Sequence, residues 1–251
     1  MHDHARDHRI DLSIVVPLHN SAMVLARTVE RWVDYLTEGH HEIILVENGS
    51  TDITWALAQE VARDNPHVSF QLARSDKGMG NALRRGIELT RGRHVLLTAD
   101  DLPFDFTDIE QARTLDPRPR IVVGSKAHPE SEVSRDVHRK LYTYGYRQFR
   151  RALLGSKVGD SQGTIIADGD WLRQVVGHVD EPGFLFTTQL IFIAELQGVS
   201  ISEVPVVLSS DHSPKPSTVR VSDVWDMGLG LLRLRKGRTR INAELTAEVV
   251  E

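Results

Sequence analysis

The sequence predicts an α/β fold, with a mostly parallel sheet covered by helices on both of its faces. Short runs rich in Val, Ile and Leu alternate along the first half of the chain with longer segments of helical periodicity, which is the pattern of strands joined by crossover helices. Each run ends in a loop of polar residues or glycines. The chain has 251 residues, enough for one large domain of this class. Together these observations indicate a Rossmann-like arrangement.

The first half supplies the regular part of the predicted sheet. Its first strand is an Ile-Val-Val run that we expect to stop at Pro17, and the helix that follows carries its apolar residues on one side. The turn at 49–52 supplies a predicted N-cap for the second helix. In chain order, the predicted strands are 13–17, 42–47, 68–73 and 94–98, and the predicted helices are 21–36, 53–62 and 78–90.

The second half is less regular, and no repeat or linker divides it from the first. We expect an N-terminal disordered tail over 1–10, a main domain over 11–221, and an amphipathic C-terminal helix with a polar tail over 222–251. The last predicted helix ends in a run of Arg and Lys. In chain order, the predicted strands are 121–124, 163–167 and 200–207, and the predicted helices are 134–154, 168–176, 187–197 and 224–235.

The composition excludes several classes of function. The formal net charge of -5 argues against general nucleic-acid binding, which needs a basic face. Cysteine is absent, which excludes disulfides and thiolate zinc sites. No uninterrupted apolar run reaches the ~18 residues that a bilayer span requires, and the polar start of the chain lacks the pattern of a signal peptide. We therefore expect a cytoplasmic protein without a nucleic-acid partner.

Polar groups follow each strand of the first half, at the edge where an open α/β sheet binds its ligands. A nucleotide lying across these strand ends would meet backbone and side-chain groups from every loop. In strand order, the loop residues are Pro17, His19 and Asn20, then Glu47 and Asn48, then Lys77 and Gly78, then Asp100 and Asp101.

The acidic pair Asp100–Asp101 closes an apolar run and is followed by Pro103. Carboxylates at the end of a strand can hold a hard divalent cation, and such a cation would neutralise a diphosphate. The alternative is a solvated turn, because Asp favours loops. The loops of the other strands, in this order and spacing, favour the metal site.

These loops resemble the motifs of the inverting nucleotide-sugar glycosyltransferases of GT-A fold. The most specific match is the segment 77–86, Lys-Gly-Met-Gly-Asn-Ala-Leu-Arg-Arg-Gly, which is similar to the Lys-Gly-x-Gly-x-Ala-x-Arg-x-Gly motif of the polyprenyl- and dolichyl-phosphate sugar synthases. It points to the dolichyl-phosphate glucosyltransferase branch. The segments 124–126, 159–163 and 203–206 match that branch as well, so the resemblance runs from Ser13 to Arg235.

The resemblance implies metal-dependent transfer of a sugar from a nucleotide-sugar donor, with UDP as the expected nucleotide, to a polyprenyl-phosphate acceptor. It implies Mg²⁺ or Mn²⁺ as the cofactor, with Asp101 as the main ligand and Asp100 as a ribose contact or a further ligand. Lys215 and Arg220 lie in a loop that we expect to close over the phosphates, although a solvated basic loop is the alternative. The implied nucleotide-sugar-binding residues are Pro17, His19, Asn20, Glu47, Asn48, Lys77, Gly78, Asp100, Lys215 and Arg220.

The sequence departs from the family motifs at three places. His19 and Ser21 replace Tyr and Glu in the first loop, and Glu47–Asn48 replaces Asp-Asp in the second. The Asn48 carbonyl can still accept a hydrogen bond from a uracil N–H group. In the segment 186–190, Thr187 and Gln189 stand where the branch has Asp and Glu, so both carboxylates are missing.

Asp160 is the catalytic candidate that the motif matches leave. It lies in the Gly-Asp-Ser-Gln-Gly segment that is similar to the Asp-Thr-Gln-Cys-Gly of the branch. We expect it at the acceptor, either as a general base or as a positioning group, and the alternative is an N-cap or salt-bridge carboxylate. A phosphate acceptor is already anionic, whereas a hydroxyl acceptor needs a base. Arg135, Arg139 and Lys140 face a similar choice between an acceptor phosphate and a solvated helix face.

Several alternatives stay open at the level of sequence. The terminal helix can lie on an anionic membrane as a peripheral contact and deliver a lipid acceptor, or it can pack on the domain or form a homodimer contact. The acceptor can be a lipid phosphate or a soluble small molecule of natural-product assembly. A catalytically silent nucleotide-sugar-binding protein is a third hypothesis, against which the intact acidic pair argues. A nucleotidyltransferase is disfavoured because the first loop is neither basic nor rich in glycine.

Overall fold

A single sheet of seven strands forms the centre of the computed structural model, which describes residues 10–133, 137–209 and 221–248. The strand order is β3-β2-β1-β4-β6-β5-β7. The strands are β1 (Leu12–Leu18), β2 (His41–Glu47), β3 (Ser69–Arg74), β4 (His94–Leu97), β5 (Ile121–Ser125), β6 (Thr164–Asp168) and β7 (Ile201–Pro205). The helices are α1 (Leu25–Tyr35), α2 (Thr54–Asp64), α3 (Met79–Leu89), α4 (Thr107–Arg113), α5 (Val137–Leu154), α6 (Gly169–Val175), α7 (Phe186–Leu196) and α8 (Val221–Glu248).

The predicted mostly parallel sheet is confirmed. β1 pairs in parallel with β2 and β4, and β2 pairs in parallel with β3. Only β6, within the described sheet, runs antiparallel to its neighbours β4 and β5. The carboxyl ends of β1 to β4 therefore meet at one edge of the sheet, while β6 ends at the opposite edge.

Helices cover both faces of the sheet, as the strand composition predicts. Every residue of β1 is buried, and successive side chains point to opposite faces. Val15 packs in the core that α3, α6 and α7 complete, whereas Ile14 and Val16 pack in the core that α1, α2 and α4 complete. Strands buried on both faces need such continuous apolar runs, which explains why β1, β2 and β4 were readable in the sequence.

Pro17 does not stop the first strand, and this expectation was wrong. β1 continues to Leu18, with Pro17 in register with Val46 of β2. The ladder between β1 and β4 ends at Val15, whose carbonyl accepts a bond from the Thr98 amide. Since alternate residues of a strand bond to alternate neighbours, Pro17 turns its missing N–H group toward the side where that ladder has already ended.

Two helices also differ from the sequence prediction. Helix α4 was not predicted, because its seven residues are too few to show a helical period. Helix α8 continues past the predicted end at Arg235 through the whole basic run to Glu248. Its continuation is stabilised by Ile241 and Leu245, which are buried in the core beside α3, α6 and α7.

The described part of α8 packs on the domain. Leu231 and Leu234 are buried against Leu185 and Phe192 of the region around α7. Leu229 and Leu232 point outward and are 53% and 40% exposed. Of the three arrangements open at the sequence level, packing on the domain therefore accounts for the inner side of this helix. No helix in the described ranges combines the length and the apolar character that crossing a bilayer requires.

A buried carboxylate fastens the edge of the sheet opposite the predicted site. Glu42 at the start of β2 is fully buried and accepts hydrogen bonds from Ser13 Oγ (2.6 Å), Gln71 Nε2 (2.9 Å) and the backbone and guanidinium of Arg91 (2.7 to 3.0 Å). Burial pushes the pKa of Glu42 upward, but the bonds from Ser13, Arg91 and Gln71 outweigh it and hold the pKa below its ordinary value. Three strands are thus tied through one ionised side chain.

Replacing Glu42 with Gln should lower the free energy of unfolding at pH 7 by about 2 kcal/mol, because an amide NH₂ would face the Arg91 guanidinium. The folded-state pKa of Glu42 lies below the unfolded one. The stability that it contributes is therefore complete above the unfolded pKa of about 4.3 and is lost as the pH falls through the folded pKa. Urea unfolding of wild type and variant should accordingly differ at pH 7 and converge in acid.

The exposed Glu88, which pairs with Arg85 at 3.2 Å on the surface of α3, offers the matched control. Glu88→Gln should change the free energy of unfolding by less than about 0.5 kcal/mol. An equally small effect of Glu42→Gln would contradict the role given to Glu42.

Candidate active site

The loops after β1 and β4 are tied together by Ser21. Its side chain is fully buried, accepts a hydrogen bond from the His19 amide (3.0 Å) and donates one to the Asp100 carboxylate. Thr28 of α1 donates to the Asp100 carbonyl at 2.8 Å. Ser21 stands where the family motif has Glu, and its hydroxyl supplies a donor that a Glu carboxylate would lack. The first residue of the acidic pair is therefore fixed through both its backbone and its side chain.

The loops after β1 and β2 are joined by a second set of bonds. The backbone amide of Asn20 donates to Ser50 Oγ (3.1 Å), and its side-chain Oδ1 accepts the backbone amide of Thr51 (2.8 Å). Asn20 has a φ of 52°, in the left-handed region that Asn tolerates better than most residues. The Ser21 amide donates to Thr54 Oγ1 at the start of α2 (2.7 Å). The exposed ring of His19 places Nδ1 3.1 Å from the Asn48 carbonyl.

The side chain of Asn48 connects the loops after β1 and β3. It is only 4% exposed, donates to the Leu18 carbonyl (2.8 Å) and accepts the Gly78 amide on Oδ1 (3.3 Å). Glu47 is also buried, accepts the Ser50 amide and lies 3.5 Å from Arg74. Both side chains are buried and bond to the backbone of the loops at this edge of the sheet, which fixes the conformation of those loops. The expected contact of Asn48 with a pyrimidine base stays a prediction.

Glycines of the 77–86 motif pack against another loop of the protein, residues 181–183. The Pro182 carbonyl accepts the amides of Gly80 (2.8 Å) and Asn81 (3.2 Å) at the start of α3. A Cβ atom on Gly80 would lie 2.2 Å from the Glu181 carbonyl, and one on Gly78 would lie 2.3 Å from the Pro182 carbonyl. These positions require glycine because the backbone of 181–183 approaches so closely.

This approach was missed at the level of sequence, since nothing local connects positions 80 and 182. Arg84, also in the motif, donates to the Val179 carbonyl at 2.9 Å and extends the contact. Lys77 is exposed at the end of β3, beside the turn that Asn48 and Gly78 form. Of the motif, Lys77 is thus the side chain that faces solvent at the strand edge.

Gln189 holds the same loop from the other side. Its side chain is 1% exposed, accepts the Glu181 amide (2.9 Å) and donates to the Asp180 carboxylate (2.7 Å) and to the His178 carbonyl (3.3 Å). Thr187 and Thr188 are buried as well. The two positions where the resembled branch carries carboxylates are therefore interior positions in this chain, and Gln189 supports the loop over α3.

Asp160 meets Lys126, so two of the matched segments come together. Asp160 Oδ2 accepts the Lys126 amide (3.1 Å) and lies 3.7 Å from Lys126 Nζ, while Oδ1 accepts the Gln162 amide (3.0 Å). Lys126 Nζ lies 5.7 Å from the centre of the Phe104 ring, three residues after Asp101. The ammonium of Lys126 therefore stands between Asp160 and the segment that follows the acidic pair.

A cavity of about 570 Å³ lies behind the loop, between residues 180–185 and α8. Arg233 and Arg240 of α8 reach the carboxylates of Glu181 and Asp180, each at 3.5 Å. Burial raises the pKa of Glu181, and Arg233 opposes that rise. None of the residues predicted for the site lines this cavity, which is separated from the strand edge by the loop itself.

The structure thus brings most of the predicted residues together and leaves others apart. Asp101 is half-buried next to the fixed Asp100. Lys215 and Arg220 lie outside the described residues, as do Arg135 and the side chains of Arg139 and Lys140. The following predicted residues are connected by the bonds described above: His19, Asn20, Glu47, Asn48, Gly78 and Asp100, with Pro17 in the strand before them.

The donor set at the strand edge suits a hard cation that shares its shell with a ligand. In the described ranges, no three His, Cys, Asp or Glu side chains gather into a metal-binding group. Mg²⁺ is commonly held by one or two carboxylates together with water and the phosphates of a substrate. Asp100 and Asp101 provide that number, with Asp100 already oriented by Ser21.

Comparison of the sequence with known families identifies the chain as a glycosyltransferase. The pattern of the family described as Glycosyl transferase family 2 matches residues 13–176, so the chain belongs to that family. The sheet matches that of GT-A glycosyltransferases: glucosyl-3-phosphoglycerate synthase from Mycobacterium tuberculosis, solved with Mn²⁺, UDP and glucosyl-3-phosphoglycerate, superposes with a TM-score of 0.61 at 18% identity, over 90% of this chain and 78% of that one. The predicted fold is confirmed.

Among curated proteins, the chain is similar to dolichyl-phosphate beta-glucosyltransferases. That of Saccharomyces cerevisiae is 22% identical over 82% of this chain and 69% of its own length. That of Homo sapiens is 27% identical over 78% of this chain and 66% of its own length. The resemblance inferred from the motifs is confirmed, and the chain spans about two thirds of the length of these relatives.

Gln189→Glu, which restores the acid of the resembled motif, should destabilise the protein by about 2 kcal/mol at pH 8. The change removes the donor to Asp180 and the His178 carbonyl and places two carboxylates side by side. The loss should shrink toward pH 5 as the new carboxyl is neutralised. Chemical unfolding at both pH values measures it, with the exposed Gln174→Glu on α6 as the control, for which we expect no comparable change. Equal stability of Gln189→Glu and wild type would contradict the supporting role of Gln189.

Proposed function

We propose that the protein transfers a sugar from a UDP-sugar to a polyprenyl phosphate with the help of a divalent cation. The observation that carries the proposal is the convergence of the loops after β1, β2, β3 and β4 at one edge of the sheet, joined by Ser21 and Asn48, in a member of this family. Such an edge is where open α/β sheets bind nucleotides.

The donor would lie across these strand ends. Its base would face the loop with His19, Asn20 and Asn48, and its diphosphate would lie toward Lys77 and the acidic pair. Asn20 and Asn48 already fix the shape of the first two loops, against which the base would lie, through their own hydrogen bonds. Lys215 and Arg220, outside the described residues, would close over the phosphates.

Asp101 would be the main ligand of Mg²⁺ or Mn²⁺, and Asp100 a further ligand or a ribose contact. The bound cation would neutralise the negative charge that develops on the leaving diphosphate. Ser21 and Thr28 would hold Asp100 in place during this step, since they bond its carboxylate and its carbonyl.

A phosphate acceptor suits the surroundings of Asp160. Both of its oxygens already accept backbone hydrogen bonds, and Lys126 stands beside it, so the carboxylate is arranged to orient a cation rather than to take a proton. Asp160 would position Lys126, whose ammonium would bind the acceptor phosphate. A phosphate oxygen is anionic and can attack without a base.

Asp101→Ala should remove the dependence of UDP binding on Mn²⁺ and weaken that binding roughly tenfold or more in the presence of the cation. Calorimetric titration of UDP with and without Mn²⁺ measures it. Asp170→Ala is the control, because Asp170 is 88% exposed and lies near the opposite edge of the sheet. Unchanged affinity in Asp101→Ala, with a normal circular dichroism spectrum in both variants, would refute the metal assignment.

The wild-type protein should transfer sugar from a UDP-sugar to a polyprenyl phosphate dispersed in detergent. Product formation is measured across UDP- and GDP-sugars with Mn²⁺, with phosphoglyceric acid as a soluble phosphate acceptor in parallel. Transfer to the soluble acceptor alone would overturn the lipid assignment.

Asp160→Asn should lower kcat/KM for the acceptor at least about tenfold, mainly through KM, with little change in UDP affinity. A fall of about 10²-fold in kcat instead would identify Asp160 as a general base.

A further inference from the structure

The peptide that carries Asp160 is held at both ends by side chains of opposite charge. Glu203 of β7 accepts the Gly159 amide on Oε2 (2.7 Å) and the Asp160 amide on Oε1 (3.1 Å). Arg150 of α5 donates to the carbonyls of Val158 and Gly159, the latter at 3.3 Å. The Gly159–Asp160 peptide unit thus has its carbonyl on a guanidinium and its N–H group on a carboxylate.

These two side chains are themselves fixed by the fold. Arg150 is 1% exposed. Its Nη2 bonds the two carbonyls, and its Nη1 donates to Ser156 Oγ at 2.9 Å. Glu203 belongs to β7 and stands in register with Val123 of β5. Val123 lies two residues before Ser125, the last residue of β5, and three residues before Lys126. The strand that leads to Lys126 and the strand that carries Glu203 are therefore paired neighbours.

Gly159 completes the arrangement, because a Cβ atom there would lie 3.0 Å from Glu203 Oε1. A glycine lets the carboxylate approach two consecutive amides, and hydrogen bonds to an ionised acceptor are about twice as strong as neutral ones. The conformation of the turn at 159–162 is consequently set by β7 and α5, which lie outside every sequence motif that mentions Asp160.

We infer that Glu203, with Arg150, is a positioning residue that sets the direction of Asp160 and, through it, of Lys126. The inference rests on the proposed function, since it concerns the acceptor side of the same site. Glu203 touches no substrate in this scheme and acts only through the backbone of 159–160. Its removal should therefore affect the reaction of the acceptor and leave the donor side as it is.

A second partly buried carboxylate provides a comparison on the same loop. Glu195 of α7 accepts the amides of Lys157 (2.7 Å) and Val158 (3.4 Å) and the Ser156 hydroxyl (3.1 Å), all on Oε1. Glutamine at 195 can keep that oxygen, whereas glutamine at 203 must turn an NH₂ group toward one of two amide donors. The two substitutions make the same chemical change, but only Glu203→Gln removes an acceptor from the amides of Gly159 and Asp160. Glu195 reaches that peptide only indirectly, through Ser156 and Arg150.

The kinetic test uses the full chain and a double-mutant cycle. Glu203→Gln should lower kcat/KM for polyprenyl phosphate about tenfold, with UDP affinity in Mn²⁺ unchanged. In the Asp160→Asn background the same change should have no further effect, because both act on one group. Glu195→Gln should leave kcat/KM for the acceptor within about twofold of wild type. An equal loss from Glu203→Gln in both backgrounds, or the same loss from Glu195→Gln, would overturn the inference.

Amide hydrogen exchange gives a readout that does not need activity. Peptides covering 159–162 should exchange faster in Glu203→Gln than in wild type or Glu195→Gln, and unchanged exchange would overturn the inference. If wild type transfers no sugar to polyprenyl phosphate, the proposed function fails, and exchange alone then decides whether Glu203 holds the turn. Should Glu203→Gln not fold, Arg150→Lys carries the same cycle and the same exchange measurement. It keeps the charge but cannot bond Ser156 and the two carbonyls from separate nitrogens.

Discussion

The hydrogen bond from Ser21 to the Asp100 carboxylate is the constraint on which the candidate site depends. Parallel pairing brings the ends of β1 and β4 to one edge of the sheet, but it does not fix the loops beyond them. Ser21 joins those loops, and its amide reaches the start of α2 as well. The acidic pair, the first loop and the helix after β2 therefore form one unit. A hydroxyl is suited to this place because it accepts and donates at the same time.

The loop at 179–185, which leads into α7, is the second support of the edge. It lies between α3, whose first amides bond the Pro182 carbonyl, and α7, whose Gln189 bonds Glu181 and Asp180. Gln162 of the Asp160 turn also reaches this loop, donating to the Phe184 carbonyl at 3.4 Å. One loop thus contacts both the motif assigned to the donor side and the turn assigned to the acceptor side. The glycines at 78 and 80 are required by this packing.

Charged side chains fix the backbone at both edges of the sheet. Glu42 gathers donors from β1, β3 and Arg91 at the edge away from the site, and Arg150 and Glu203 grip the turn that carries Asp160. A buried ion is costly unless its hydrogen bonds are satisfied, and each of these ions is satisfied largely by backbone or by several partners. Such charges specify one conformation of a loop, which apolar packing alone would leave free to shift.

The sequence by itself determined the sheet, the helices on both faces, the edge at which the site lies and the family. These follow from local information: the apolar period of a buried strand, the turn residues that end it, and motifs of a few consecutive residues. The acidic pair and the loops of His19 and Asn48 were readable for the same reason. The ends of strands and helices were less readable, because they depend on contacts with residues that are distant in the sequence. Examples are the strand neighbours of Pro17 and the core contacts of Ile241.

Only the tertiary structure decided which residues support the site. Nothing in the local pattern indicates that Gly80 receives the Pro182 carbonyl, that Gln189 is an interior clamp, or that Glu203 bonds the amide of Asp160. Each of these contacts joins residues that are not neighbours in the sequence, and no periodic pattern in the sequence predicts a hydrogen bond of this kind. The motifs contain both the residues expected to carry chemistry and those that support them, and only proximity in the folded chain shows which residue supports which.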